Sequence, residues 1–76
     1  MLTKEQFMTL ALADYLELKL DTEFLEQIHH DNGVLRFSSP AFDYWVYRCE
    51  LQRNGSRKWF KLNANSNGWI FKWVKE

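Results

Sequence analysis

The chain has 76 residues, 46% of them apolar, with ten basic and ten acidic side chains and a formal charge of zero. That length supplies one small core, so a single domain over 1–76 is expected, and an apolar content this high with one proline and three glycines excludes a disordered or collagen-like chain. One cysteine allows no internal disulfide and no cysteine pair for a metal, so stability must come from packing the 13 aromatic residues.

No apolar run approaches the roughly 18 residues of a membrane span, and the N-terminus lacks the charged-then-apolar layout of a secretory signal. A cytoplasmic protein with no membrane partner is expected. Its zero charge conceals a segregation. Residues 1–33 hold two lysines against seven carboxylates, a net of −5, whereas 34–76 hold eight cations against three carboxylates, a net of +5. Ten of the 13 aromatics, all four tryptophans among them, fall in the second part. The sequence therefore predicts an acidic helical layer on a basic, aromatic sheet.

The first helix is signalled at Thr3, which can cap it while Gln6 reaches back to complete a capping box. Phe7, Met8, Leu10, Ala11, Leu12, Tyr15 and Leu16 then follow helical spacing, which predicts a helix over about residues 4 to 18. Its end is ambiguous, because Leu16, Leu18 and Leu20 alternate with Glu17 and Lys19 as a short strand would. Asp21 or Thr22 can cap a second helix with Phe24, Leu25 and Ile28 inside, and Asn32-Gly33 would stop it in a left-handed turn.

Beyond Gly33, turn residues at Ser38–Pro40, Asn54-Gly55 and Asn65–Gly68 separate strand-like runs near 34–38, 43–52, 57–64 and 69–75. The expected fold class is α+β, with one or two N-terminal helices on one face of a three- to four-stranded antiparallel β-meander. A two-residue type I′ turn at Asn54-Gly55 pairs Arg53 with Ser56, Leu51 with Lys58, Cys49 with Phe60 and Tyr47 with Leu62. That register gathers Trp45, Tyr47, Cys49, Leu51, Phe60, Leu62 and Ala64 on one face, and the last turn adds Trp69, Phe71 and Trp73. A three-residue bulged turn at Asn54 would reverse the parity.

On the opposite face this register sets Arg48 across from Lys61, with Trp59 and Tyr44 close by, and of the two possible last turns, Asn67-Gly68 or the four residues Asn65–Gly68, the four-residue one sets Lys61 across from Lys72. Like charges directly opposite destabilise a sheet, so the row invites an anion, either an acidic protein surface or a nucleic-acid backbone whose bases stack on the aromatics. An ordinary solvated sheet face is the plain alternative. A second candidate surface is the acidic helix face, Glu17, Asp21, Glu23 and Glu26, which can mimic the phosphate charge of a nucleic acid.

Other chemistry is weakly signalled. His29 and His30 are adjacent and would point about 100° apart on a helix, so no metal site is expected. The register buries Cys49 in apolar surroundings, where a thiol is inert. No phosphate-cradling glycine loop or catalytic triad is present, and acidic residues on the second helix argue against a helix-turn-helix DNA reader. No cofactor and no enzymatic activity are expected. The expectation is a small binding module that occludes or adapts a partner protein, of the regulator or inhibitor type encoded by bacteriophages and mobile elements by analogy of size and charge. A single-stranded nucleic-acid binder is the alternative, and a homodimer through the edge at 69–75 a third.

Overall fold

The computed structural model describes residues 2–63, 65 and 68–76. It contains one α-helix, α1 (Lys4–Glu17), a short 3-10 turn (Thr22–Leu25), and five strands: β1 (Gln27–Asp31), β2 (Val34–Ser38), β3 (Tyr47–Leu51), β4 (Arg57–Asn63) and β5 (Gly68–Lys75). The strands form one antiparallel sheet in chain order. The α+β class is as expected, with five strands in place of three or four. Among the described residues no helix is long and apolar enough to cross a membrane.

Helix α1 begins in the expected capping box. The Gln6 amide donates to Thr3 Oγ1 at 3.1 Å and the Thr3 amide to Gln6 Oε1 at 2.9 Å, which satisfies two of the orphan donors at the helix start. Its end is equally defined. Lys19 adopts a left-handed φ of 56°, its amide donates to the Leu16 carbonyl at 3.1 Å, and the Leu20 amide reaches the Tyr15 carbonyl at 3.3 Å. This is a Schellman stop with lysine where glycine is usual, and it excludes the strand alternative for 15–20. Leu10 and Leu16 are exposed, while Phe7, Ala11, Asp14 and Tyr15 form the buried stripe.

The expected second helix is corrected. Asp21 does cap a turn, accepting from the Glu23 amide at 3.0 Å, but the turn ends at Leu25 and residues 27–31 form β1. Asn32 and Gly33, with φ of 47° and 77°, make the two-residue loop of a β1–β2 hairpin in which Asp31 pairs with Val34. Asn-Gly favours such a type I′ loop because both central residues need positive φ; here that preference prevails over a helix stop.

At Asn54-Gly55 the outcome is the reverse. The strands close on Gln52 and Ser56, with the Gln52 amide donating to the Ser56 carbonyl at 2.8 Å and the Gly55 amide to the Gln52 carbonyl at 3.0 Å. Arg53, Asn54 and Gly55 thus form a three-residue loop, with Gly55 left-handed at φ 88°. Asn54 Oδ1 accepts from both the amide and the hydroxyl of Ser56. The resulting register pairs Leu51 with Arg57, Cys49 with Trp59, Arg48 with Phe60 and Tyr47 with Lys61. It is one residue from the two-residue expectation, and it exchanges the two faces of β4.

α1 covers the face that carries Leu35, Phe37, Tyr47, Cys49 and Trp59, and these with Phe7, Ala11, Tyr15, Phe24 and Val46 make the core. Tyr15 stacks on Phe37 at 5.2 Å between centroids, and Trp59 lies 5.3 Å from Phe37 and 5.9 Å from Tyr15. Within this apolar layer Arg57 reaches the helix. Its Nε and Nη2 donate to Asp14 at 2.7 and 2.9 Å, and Trp59 Nε1 donates to the same carboxylate at 3.4 Å. The fork geometry suits a guanidinium buried beside a carboxylate, and the hydrogen bond holds Arg57 above its ordinary pKa.

Candidate binding face of the sheet

With α1 on one side, the other face of the sheet has no layer over it among the described residues. Strand pairing places His29 opposite Arg36, Arg36 opposite Arg48, Arg48 opposite Phe60, and Phe60 opposite Phe71. These five residues form one row across all five strands on the open face. The row carries its two arginines on β2 and β3 and its two phenylalanines on β4 and β5. The next row reads Asp31, Val34, Glu50, Lys58 and Val74.

Aromatics flank the cations. Trp45, in the connection before β3, lies 5.9 Å from the His29 ring, and the Arg48 guanidinium carbon sits 5.8 Å from the centre of Trp69. Phe60 and Phe71 meet edge to face at 5.8 Å, with Phe71 still 52% exposed. The charges are incompletely matched. Arg48 pairs with Glu50 at 2.6 Å, yet its Nε is buried without a hydrogen-bond partner. Arg36 belongs to none of the ion pairs among the described residues. Two guanidinium groups directly opposite each other repel, and one carboxylate serves them.

The residues expected from sequence are dispersed. Of the basic set, Arg48 is on the open face, but Trp59 is fully buried, because the three-residue loop turns it inward. Lys61 pairs with Tyr47 and Ile70 and places Nζ 5.7 Å from the Tyr47 ring. Lys72 is the extra residue of a bulge, where Trp59 pairs with Trp73 and Phe60 with Phe71. The Arg48–Lys61–Lys72 ladder therefore does not form. Tyr44 is exposed in the 39–46 connection, against Phe42. Ala64 and Asn67, which entered the expected face and last turn, lie outside the described residues.

The acidic set is largely engaged in the fold. Glu17 holds Lys75 at 2.8 Å, Asp21 caps the 3-10 turn, and Glu23 accepts from Ser39 Oγ at 3.1 Å. Glu26 is the one of the four with no side-chain hydrogen bond or ion pair among the described residues. On β1 the two histidines alternate to opposite faces, His29 toward Trp45 and His30 toward Phe7. Cys49 is enclosed, and burial, reinforced by Asp14, pushes its thiol well above the ordinary range. Comparison with known protein families, with curated proteins and with solved structures finds no match to this chain.

Sequence reasoning missed Arg36, and it placed Trp45, Phe60, Trp69 and Phe71 on the covered face. One signal pointed to the correct parity. Asp14 falls in the buried stripe of α1, seven residues after Phe7, and a carboxylate there requires a cation from the sheet. Either parity turns a cation of β4 inward, Lys58 or Arg57, and a planar guanidinium is the better match for a buried carboxylate.

Proposed function

We propose that this chain is a small non-enzymatic binding module that occludes a partner protein through the open face of its sheet. The observation that carries this reading is the row His29–Arg36–Arg48–Phe60–Phe71 on an uncovered face, flanked by Trp45 and Trp69. Arginine and large aromatics are the residue types enriched at the centre of protein interfaces, where they supply most of the binding energy. Among the described residues no histidine of this face is joined to a carboxylate by a hydrogen bond or ion pair, and the buried thiol of Cys49 and the tied carboxylate of Asp14 are unsuited to catalysis. A buried free cysteine also suits a reducing, cytoplasmic setting.

A nucleic-acid partner is less well supported. Affinity for a polyanion grows with the number of phosphates neutralised, and this face offers two arginines and Lys58 against Glu50 and Asp31 in the neighbouring row. The test is quantitative capture from a nuclease-treated lysate of the source organism on immobilised protein. A protein retained by the native chain and by Glu26→Lys, but lost with Phe71→Ser and Arg36→Glu, is the expected result. A partner lost with Glu26→Lys and kept by the sheet variants would move the site to the acidic helical side.

A further inference from the structure

The open face is asymmetric in a way that specifies its occupant. Along the row, the β1–β3 half carries His29, Arg36 and Arg48, and the β4–β5 half carries Phe60 and Phe71 with Trp69 beside them. Four steps between adjacent strands span about 19 Å, close to the length of about six residues of extended chain. Among the described residues Arg36 lacks an anionic partner and Arg48 Nε an acceptor, and a planar carboxylate matches a guanidinium in geometry as well as charge.

Resting on the reading above, we infer that the face takes an extended acidic segment of the partner protein, with carboxylates over Arg36 and Arg48 and a large apolar side chain over Phe60 and Phe71. Glu50 then acts as an internal competitor. It occupies Arg48 at 2.6 Å in the free protein and is displaced, or shared, when the partner's carboxylate arrives. A continuous polyanion is a poorer match, because it would pass Glu50 and Asp31 and has no counterpart for the aromatic half.

The experiment is a heteronuclear NMR titration of the full chain with four probes. They are a capped hexapeptide with two glutamates at one end and two phenylalanines at the other, the same peptide with glutamine for glutamate, the same with lysine, and a six-nucleotide oligothymidylate. The expected result is that the acidic peptide binds about tenfold more tightly than the glutamine peptide. It shifts the Trp45 and Trp69 indoles and the Arg36 and Arg48 Nε signals and leaves the core Trp59 indole in place. Arg36→Gln should weaken binding about tenfold, whereas Glu50→Gln, which removes the competitor without adding bulk, should tighten it severalfold. Equal binding of the glutamine peptide at these residues would overturn the acidic occupant and leave the docking face standing. Tighter binding of the oligonucleotide, or no shift at these residues with any peptide, would also overturn the inference. The capture experiment with Phe71→Ser then judges the broader proposal separately.

Discussion

Asp14 and Arg57 show how single side chains set the architecture. A carboxylate and a guanidinium, each almost fully buried, are joined by two hydrogen bonds of 2.7 and 2.9 Å, so removing one partner strands the other charge in the core. Asp14→Ala is expected to cost about 3–5 kcal/mol, while the double change Asp14→Leu with Arg57→Met should lie near the native stability. Urea denaturation of the three proteins checks this, and a single mutant within 1 kcal/mol of native, roughly the value of an exposed pair, would refute the buried coupling. Lys19 makes a smaller, opposite prediction. Its left-handed φ of 56° is unfavourable for any residue with a Cβ by about 1 kcal/mol or more, so Lys19→Gly should stabilise the chain by roughly 0.5 kcal/mol after the added freedom of the unfolded state is counted.

At the level of elements, two Asn-Gly pairs behave differently. Asn32-Gly33 closes a two-residue hairpin, whereas Asn54-Gly55 takes Arg53 into a three-residue loop. This difference explains what the sequence makes legible. The capping box at Thr3, the helix over Phe7 to Tyr15 and the antiparallel order of the later strands follow from local pattern. The register of β3 on β4 does not, because hydrophobic alternation favours burying Phe60 and Leu62, and the fold buries Trp59 and Arg57 instead. A charged residue that finds its partner in the core defeats an argument based on apolar count. The loop itself offers a test. In the observed register Gln52 already opposes Ser56, so deleting Arg53 leaves Asn-Gly as a two-residue type I′ loop with every pairing preserved. The deletion should change the melting temperature by only a few degrees and leave the tryptophan spectrum native-like. Wholesale loss of structure would show that Arg53 pairs within the strand. At the far edge, the bulge at Lys72 and the charge it carries are devices that oppose strand-to-strand pairing of β5, although Ile70, Phe71 and Val74 are exposed there.

For the molecule as a whole, the segregation of charge serves the interior as well as the surface. The acidic helical part and the basic sheet meet through Asp14–Arg57 and Glu17–Lys75, so part of the opposite charge is neutralised between the layers. Arg53, Lys58, Lys61 and Lys72 stay exposed, and the half-buried Arg36–Arg48 pair lies on the open face. The core also fixes the response to alkali. Burial, the largest cause in each case, raises the pKa of Tyr15, Tyr47 and Cys49 above ordinary values, and the Tyr15 hydroxyl donates to the Asp21 carbonyl. Below about pH 8 these groups are protonated in both the folded and the unfolded chain, and their contribution to stability is fully present. As the pH rises past about 8.5 for the thiol and about 10 for the phenols, the unfolded chain releases protons that the folded one retains, so stability falls by up to about 1.4 kcal/mol per pH unit for each group. Denaturation at pH 7 and 10.5 should show this loss, and Tyr15→Phe should make it shallower from a lower starting stability. A profile flat to pH 10.5 would mean that these groups are solvated.

The face assigned to binding exists because β4 turns Trp59 inward and Phe60 outward. Hydrogen exchange of the four tryptophan indole N–H groups, resolved by NMR, reads that parity directly. Trp59, wholly enclosed and donating to Asp14, should exchange slowest, by at least about two orders of magnitude relative to Trp45 and Trp69 on the open face. Rapid exchange at Trp59 together with protection at Trp69 would contradict the account. It would reverse the register and dissolve the Arg36–Arg48–Phe60–Phe71 row.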